Sequence, residues 1–219
     1  MNLASWSHHV IHREEAIMPG DQPSEFSWSH ALTTEFITPA SHDHTQRELE
    51  GLALDQHLFE ILPGTFVTSQ TVVDPGVRLL ALATAVGETA SRLAVFSRMT
   101  AAWIYGCTDH LDRIQMHVGG YHRPLPNDSP MSLLTLEAAV DGNDSNHLGS
   151  LRVTNIERTA FDLALFNIMP GSRQSLVRLI ARYGSHVPFE QMAERFEQQR
   201  RYSARRCLES AFKEAARSH

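Results

Sequence analysis

Residues 151–164, Leu-Arg-Val-Thr-Asn-Ile-Glu-Arg-Thr-Ala-Phe-Asp-Leu-Ala, constrain the fold more than any other stretch of the chain. Leu151 and Val153 flank Arg152 as a strand end does, and an amphipathic helix follows at once. Thr154 is the expected N-cap, with Glu157 three residues on. That spacing makes a capping box, in which each side chain satisfies a backbone N–H at the helix start. Ile156, Ala160, Leu163 and Ala164 then share one helical face, widened by Phe161 and Leu165. Arg158 and Asp162 stand four residues apart among apolar neighbours. If buried they must pair, because an unpaired buried charge costs several kcal/mol. The segment reads as a capped core helix, and Thr154, Glu157, Arg158 and Asp162 as structural rather than catalytic residues.

Upstream, residues 43–56 predict a helix. Asp43-x-x-Gln46 is an acidic variant of the capping box, Leu49, Leu52 and Ala53 form an apolar stripe, and Gly51 weakens the helix. The apolar runs 57–62 and 65–68 around Pro63-Gly64 predict a β-hairpin. A helix followed directly by such a hairpin is the half of a winged helix that carries the recognition helix and wing. Residues 28–38 predict a short helix ending before Pro39. Pro75 opens another, with Leu79, Leu80, Leu82, Ala83 and Val86 on one side and Gly87 at its end. Residues 93–96 read as a short buried strand, after which Ser97 caps a helix to Tyr105, closed by Gly106.

Residues 112–153 predict an antiparallel sheet. Ile114, Met116 and Val118 alternate with Arg113, Gln115 and His117, the pattern of a half-buried strand. Residues 133–140 and 148–153 supply two more strands, with a turn at 141–144. After Pro170-Gly171 three helices follow. The last turns Cys207, Leu208, Ala211, Phe212 and Ala215 inward and Arg200, Arg201, Arg205, Arg206, Lys213 and Arg217 outward. The fold class is therefore α+β: a peripheral or poorly ordered arm at 1–27, a winged helix-turn-helix-like domain at 28–72, and a C-terminal domain at 73–219 with a small antiparallel sheet and packed helices.

Charge is unevenly spread. Residues 1–151 carry 7 Arg and no Lys against 18 Asp and Glu, whereas residues 152–219 carry 11 Arg and 1 Lys against 7. Such asymmetry hints at a basic binding face. Arg200, Arg201, Arg205 and Arg206 are its candidate contacts, to nucleic acid or an acidic partner; the alternative is a solvated helix face. Two cysteines, Cys107 and Cys207, are too few for a disulfide framework and fit a reducing, cytoplasmic protein. The histidine-rich N-terminus is no signal peptide, and no apolar run approaches the ~18 residues of a membrane span.

Thirteen histidines invite a metal reading. His8 with His12, His42 with His44, and His117 with His122 all lack the cysteine or acidic spacing of a zinc site, and read as scattered solvent histidines. Cys107 near His110 has no nucleophile signature around it, and Ser97 lacks the G-x-S-x-G elbow. No catalytic residue, metal, cofactor or small-molecule substrate is assigned.

The order of these pieces resembles a known family. The wing Leu62-Pro63-Gly64-Thr65-Phe66 comes first, then the Leu-Ala helix at 79–85. The segment Ala94-Val95-Phe96-Ser97-Arg98-Met99-Thr100-Ala101-Ala102 follows, and last comes Val153-Thr154-Asn155-Ile156-Glu157-Arg158-Thr159-Ala160-Phe161-Asp162-Leu163-Ala164. Together they resemble the AbiEi-like antitoxin and transcriptional-regulator family of bacterial type IV toxin–antitoxin systems, over residues 43–217. The resemblance implies a winged helix-turn-helix, a C-terminal α/β domain, and autoregulatory DNA binding beside a cognate toxin, without catalysis; many members continue into a nuclease-like domain, which is not expected here. It also implies that Arg158 and Asp162 are a core pair. Thr45, Gln46, Arg47, Gln56 and His57 are the candidate DNA contacts, glutamine and arginine suiting adenine and guanine edges. Members are usually basic before the wing; here Glu48, Glu50, Asp55 and Glu60 surround Arg47. The alternative is a protein-interaction module whose degenerate winged helix no longer binds DNA.

Overall fold

The structure is a computed structural model and describes residues 31–39, 43–120, 125 and 129–217. Among these it is mixed α+β, with eight α-helices, a two-stranded antiparallel sheet and a five-stranded mixed sheet. No helix among them is long and apolar enough to cross a membrane. The expected arm at 1–27 lies outside the described residues. The described residues divide into two compact units, those up to 93 with 125, 129–132 and 147–151 forming one and those at 94–120, 133–146 and 152–217 the other.

The first unit contains α1 (Gln46–Leu54), β1 (Leu58–Leu62), β2 (Thr65–Thr68), α2 (Pro75–Val86) and α3 (Glu88–Leu93). The cap of α1 is Thr45, in a complete capping box with Glu48, and not Asp43. Asp43 has a left-handed backbone (φ 51), whereas an N-cap needs the extended geometry that Thr45 adopts. The helix expected at 28–38 shrinks, in its described part, to one 3-10 turn at Ala31–Thr33. Ile37 instead pairs antiparallel with Phe66 through backbone bonds of 2.8 and 2.9 Å. Its β-branched side chain, two residues before Pro39, favours extended backbone over helix.

The hairpin forms as the pattern predicts. Phe59 pairs with Val67, and a register shift follows Glu60. Gly64 supplies the positive φ of the turn, and its N–H donates to the Glu60 carboxylate at 2.9 Å. Asp74 caps α2 by accepting the Val77 N–H at 2.8 Å, with Pro75 in the first turn. From Val77 to Val86 that helix is buried on nearly every side, so it is the centre of this unit's core. Leu79 and Leu82 are fully buried, each stabilising the unit by roughly 1.5–3 kcal/mol.

The second unit carries most of the five-stranded sheet, ordered β5-β4-β3-β7-β6. The strands are β3 (Ala94–Phe96), β4 (Arg113–Val118), β5 (Ser132–Glu137), β6 (Ser145–Leu148) and β7 (Leu151–Thr154). The sheet is not wholly antiparallel as expected: β3 runs antiparallel to β4 but parallel to β7. Both β3 and β7 feed directly into helices, α4 (Arg98–Ile104) and α5 (Ile156–Leu165), and leaving the sheet at the same end makes them parallel. The fully buried Ala-Val-Phe of β3 is the apolar run a parallel strand covered on both faces requires. The strand expected at 148–153 is split by a Gly149-Ser150 turn, with Gly149 at φ 58. Beyond it α6 (Ser172–Tyr183), α7 (Phe189–Gln198) and α8 (Tyr202–Ala215) follow as predicted. Here α6 packs on α5 and α8, and α7 on α8. Phe161 stacks on Phe196 with centroids 4.6 Å apart, fixing α7 over α5.

Candidate functional site

Three groups of residues carry chemistry. The first is a buried polar cluster where β4, α4 and α5 meet. Asn155, not Thr154, is the N-cap of α5, its side chain accepting the Arg158 N–H at 2.7 Å. Thr154 is the last residue of β7 and is fully buried. Its carbonyl accepts the Tyr105 hydroxyl at 2.7 Å, and its own hydroxyl meets that of Thr159 at 2.8 Å. A strand residue so engaged has nothing left for capping, and Glu157, expected to complete the box, is exposed. Burial pushes the Tyr105 phenol far above its ordinary value, so it stays a donor.

Asp162, 2% exposed, is the hub. One carboxylate oxygen accepts from Arg158 Nε at 3.1 Å, and the other meets His117 Nε2 at 3.2 Å. Arg158 Nη1 also donates to Asp144 at 2.7 Å. Burial works against the Arg158 charge, but Asp162 and Asp144 outweigh it and raise its value. Arg98 stacks on Phe166, its guanidinium carbon 3.5 Å from the ring centre. Burial lowers the Arg98 value, Asp162 opposes that, and Arg158 adds to it.

Sequence patterning placed His117 and Gln115 on a solvent face of β4, yet both are buried. Gln115 supplies the start of α4, its side-chain oxygen accepting the Met99 N–H at 3.3 Å. Ser97 does not cap that helix with its side chain: Ser97 Oγ is buried without a hydrogen bond, as are Arg98 Nε and His117 Nδ1. Arg98 moreover begins the helix with a left-handed backbone (φ 53), a costly conformation for a residue with a Cβ. With Asp162 and His117 both turned into protein, the cluster is an internal brace, and strain and unmet hydrogen bonds gather at its α4 side. His117, Asp144 and Arg98 are the members that sequence spacing missed.

The second group is the surface of α1. Of the five candidate DNA contacts, Thr45 and Gln46 are held by the helix itself. The Thr45 hydroxyl donates to Glu48 at 2.8 Å, and Gln46 donates to Glu50 at 3.0 Å. Arg47, Gln56 and His57 are exposed. Around them stand Asp43, Glu48, Glu50, Asp55 and Glu60, all exposed. The Thr45 backbone N–H, then its hydroxyl, hold the Glu48 carboxyl below the usual carboxylate range.

The third group is the arginine-rich end. Arg205 is bound to Glu197 and, at 2.9 Å, to Glu209, and the Glu209 bond followed by the Glu197 charge raises its value. Arg200, Arg201 and Arg206 are exposed. Cys107 is buried and bonds the Tyr105 carbonyl at 3.6 Å, while His110 is exposed. Burial raises the Cys207 thiol, which Arg173 opposes. No protein-family model matches this sequence, and no curated protein matches it.

Proposed function

We propose that the chain is a non-catalytic, protein-binding regulator of the antitoxin type, similar in plan to AbiEi-like proteins. In this reading its winged-helix-like first unit docks a basic protein surface, such as that of a cognate toxin, in place of DNA. The observation that carries it is the surface of α1 and β1. Asp43, Glu48, Glu50, Asp55 and Glu60 are exposed there against the single cation Arg47. A DNA-binding protein releases counterions by neutralising phosphates, and its affinity falls with salt with a slope of about −0.9 per phosphate contacted. One arginine supplies about one such contact, while five carboxylates repel the backbone. Thr45 and Gln46, the side chains best placed to read bases, are already spent inside the helix.

The DNA-binding reading has its own support. The hairpin β1–β2 follows α1 directly and gains a bridge from Ile37, as a wing would. Two measurements separate the readings. A labelled duplex carrying the region upstream of the gene is titrated at low salt, and the product of the adjacent gene is tested for co-elution. Under the protein-binding reading the duplex stays free, the partner co-elutes, and Glu50→Lys/Asp55→Lys abolishes co-elution. Duplex binding that falls with salt and is lost in Arg47→Ala would instead establish DNA binding. Absence of both interactions removes both readings.

A further inference from the structure

Residues 199–206, Gln-Arg-Arg-Tyr-Ser-Ala-Arg-Arg, span the link from α7 and the start of α8, and break local preferences together. Arg200 is held at φ 55, and Arg201 stands at the N-cap of α8 without a capping side chain. Arginines at the start of a helix oppose its dipole, so their placement weakens the helix rather than stabilising it. Glu197 and Glu209, the acids on either side of this segment, both bond Arg205, leaving Arg200, Arg201 and Arg206 as exposed, uncompensated cations.

Apolar surface lies beside this charge. Tyr202 is 56% exposed, and it shares a helix face with Arg206 four residues on. Asn167 donates to Ser203 at 3.4 Å, which brings the loop between α5 and α6 against the first turn of α8. The next residue in that loop, Ile168, is 90% exposed. Exposed tyrosine and arginine beside an aliphatic side chain is the composition of a binding hot spot, not of an ordinary solvated face.

We infer that the α5–α6 loop and the first turns of α8 form a docking surface for an acidic protein segment that carries an apolar anchor. Arg200, Arg201 and Arg206 meet its carboxylates, and Ile168 and Tyr202 cover the anchor. Arginine and tyrosine would also serve a single-stranded nucleic acid through charge and stacking. An isoleucine left almost wholly in water has no use there and favours the protein partner. This surface lies in the second unit and does not depend on the acidic face of α1.

The test pans a random peptide display library against the immobilised full chain, then titrates the selected peptides by fluorescence anisotropy. Enrichment of aspartate and glutamate around a leucine, isoleucine or aromatic residue is expected. Ile168→Ser and Tyr202→Ala should each weaken those peptides by about tenfold or more. Arg200→Ala/Arg201→Ala should weaken them and flatten their salt dependence. Glu50→Lys/Asp55→Lys should leave their affinity unchanged, which separates this surface from the one on α1. Ile168 and Tyr202 lie outside the core, so an unaltered melting curve verifies that each variant is folded. Failure to enrich acidic peptides overturns the inference, and so does peptide affinity indifferent to Ile168→Ser and Tyr202→Ala. Displacement of the peptides by a single-stranded oligonucleotide that ignores both apolar substitutions would also overturn it, marking a nucleic-acid face.

Discussion

Asp162→Asn tests whether the buried cluster braces the second unit. Asparagine has nearly the same volume, so no cavity opens. It replaces one acceptor oxygen with a donor where Asp162 meets Arg158 at 3.1 Å and His117 at 3.2 Å. Neutralising one partner of a buried pair costs about 3–5 kcal/mol. Arg158 keeps its bond to Asp144, whose side chain is 34% exposed and softens the loss, so the expected cost is about 3 kcal/mol. At roughly 2–4 °C per kcal/mol for a chain of this size, the melting temperature falls by about 6–12 °C. Arg158→Met removes the bonds to both Asp162 and Asp144 and leaves the buried Asp162 carboxylate against His117 alone, so it should cost about 3–5 kcal/mol. The double variant Arg158→Met/Asp162→Asn removes both charges, and its cost should fall short of the sum by about 1–2 kcal/mol. Equilibrium urea unfolding of the three variants, followed by circular dichroism, closes the cycle. Additivity within about 0.5 kcal/mol, or a cost for Asp162→Asn below about 1 kcal/mol, would refute the brace.

Three further outcomes follow from individual residues. A capping serine is worth about 1 kcal/mol, but Ser97 Oγ is buried and unbonded, so Ser97→Ala should be neutral or stabilising by up to about 1 kcal/mol; a clear loss in thermal unfolding would contradict the geometry. Gln56 sits at φ 61 just past α1, and Gln56→Gly should raise stability by about 0.5–1 kcal/mol in urea titration. The Glu48 carboxyl, depressed first by the Thr45 N–H and then by its hydroxyl, contributes stability that is fully present above the unfolded glutamate value and is lost as pH falls through the lower folded value. Carbon-13 titration of Glu48 should show that depression, and Thr45→Ala should shrink it.

Element type was legible wherever period and punctuation agreed. Pro75 and Gly87 bracket α2, Pro63-Gly64 turns the hairpin, and the stripes of α6, α7 and α8 mark three helices. What the period could not carry was tertiary cover. The Arg-x-Gln-x-His alternation of β4 implied one wet face, but the Gln115 side chain accepts the Met99 N–H of α4 and α5 brings Asp162 onto His117, so past Arg113 both faces are dry. The parallel pairing of β3 with β7 escaped for a related reason, since direction depends on where each strand delivers its helix. Of the candidate surface residues, exposure alone could be guessed. That Thr45, Gln46 and Arg205 are already bonded depends on Glu48, Glu50, Glu197 and Glu209 at short helical or loop spacings, where several pairings compete.

Three expected caps moved, from Asp43 to Thr45, from the Ser97 side chain to Gln115, and from Thr154 to Asn155. Adjacent residues with equal capping chemistry are decided by what the preceding backbone must do. Thr154 belongs to β7, with its carbonyl taken by Tyr105, so the next residue caps. The shift by one residue has a consequence for the cluster. Asn155 Nδ2 donates to the Asn143 carbonyl at 2.6 Å, and its N–H bonds Asp144 at 2.9 Å. The cap of α5 is thereby tied to the 3-10 turn at Gly142–Asp144, which sets Asp144 at 2.7 Å from Arg158. A threonine cap has no amide to make the first of those bonds. The choice of asparagine therefore delivers the second carboxylate that pairs Arg158 beside Asp162 under partial burial.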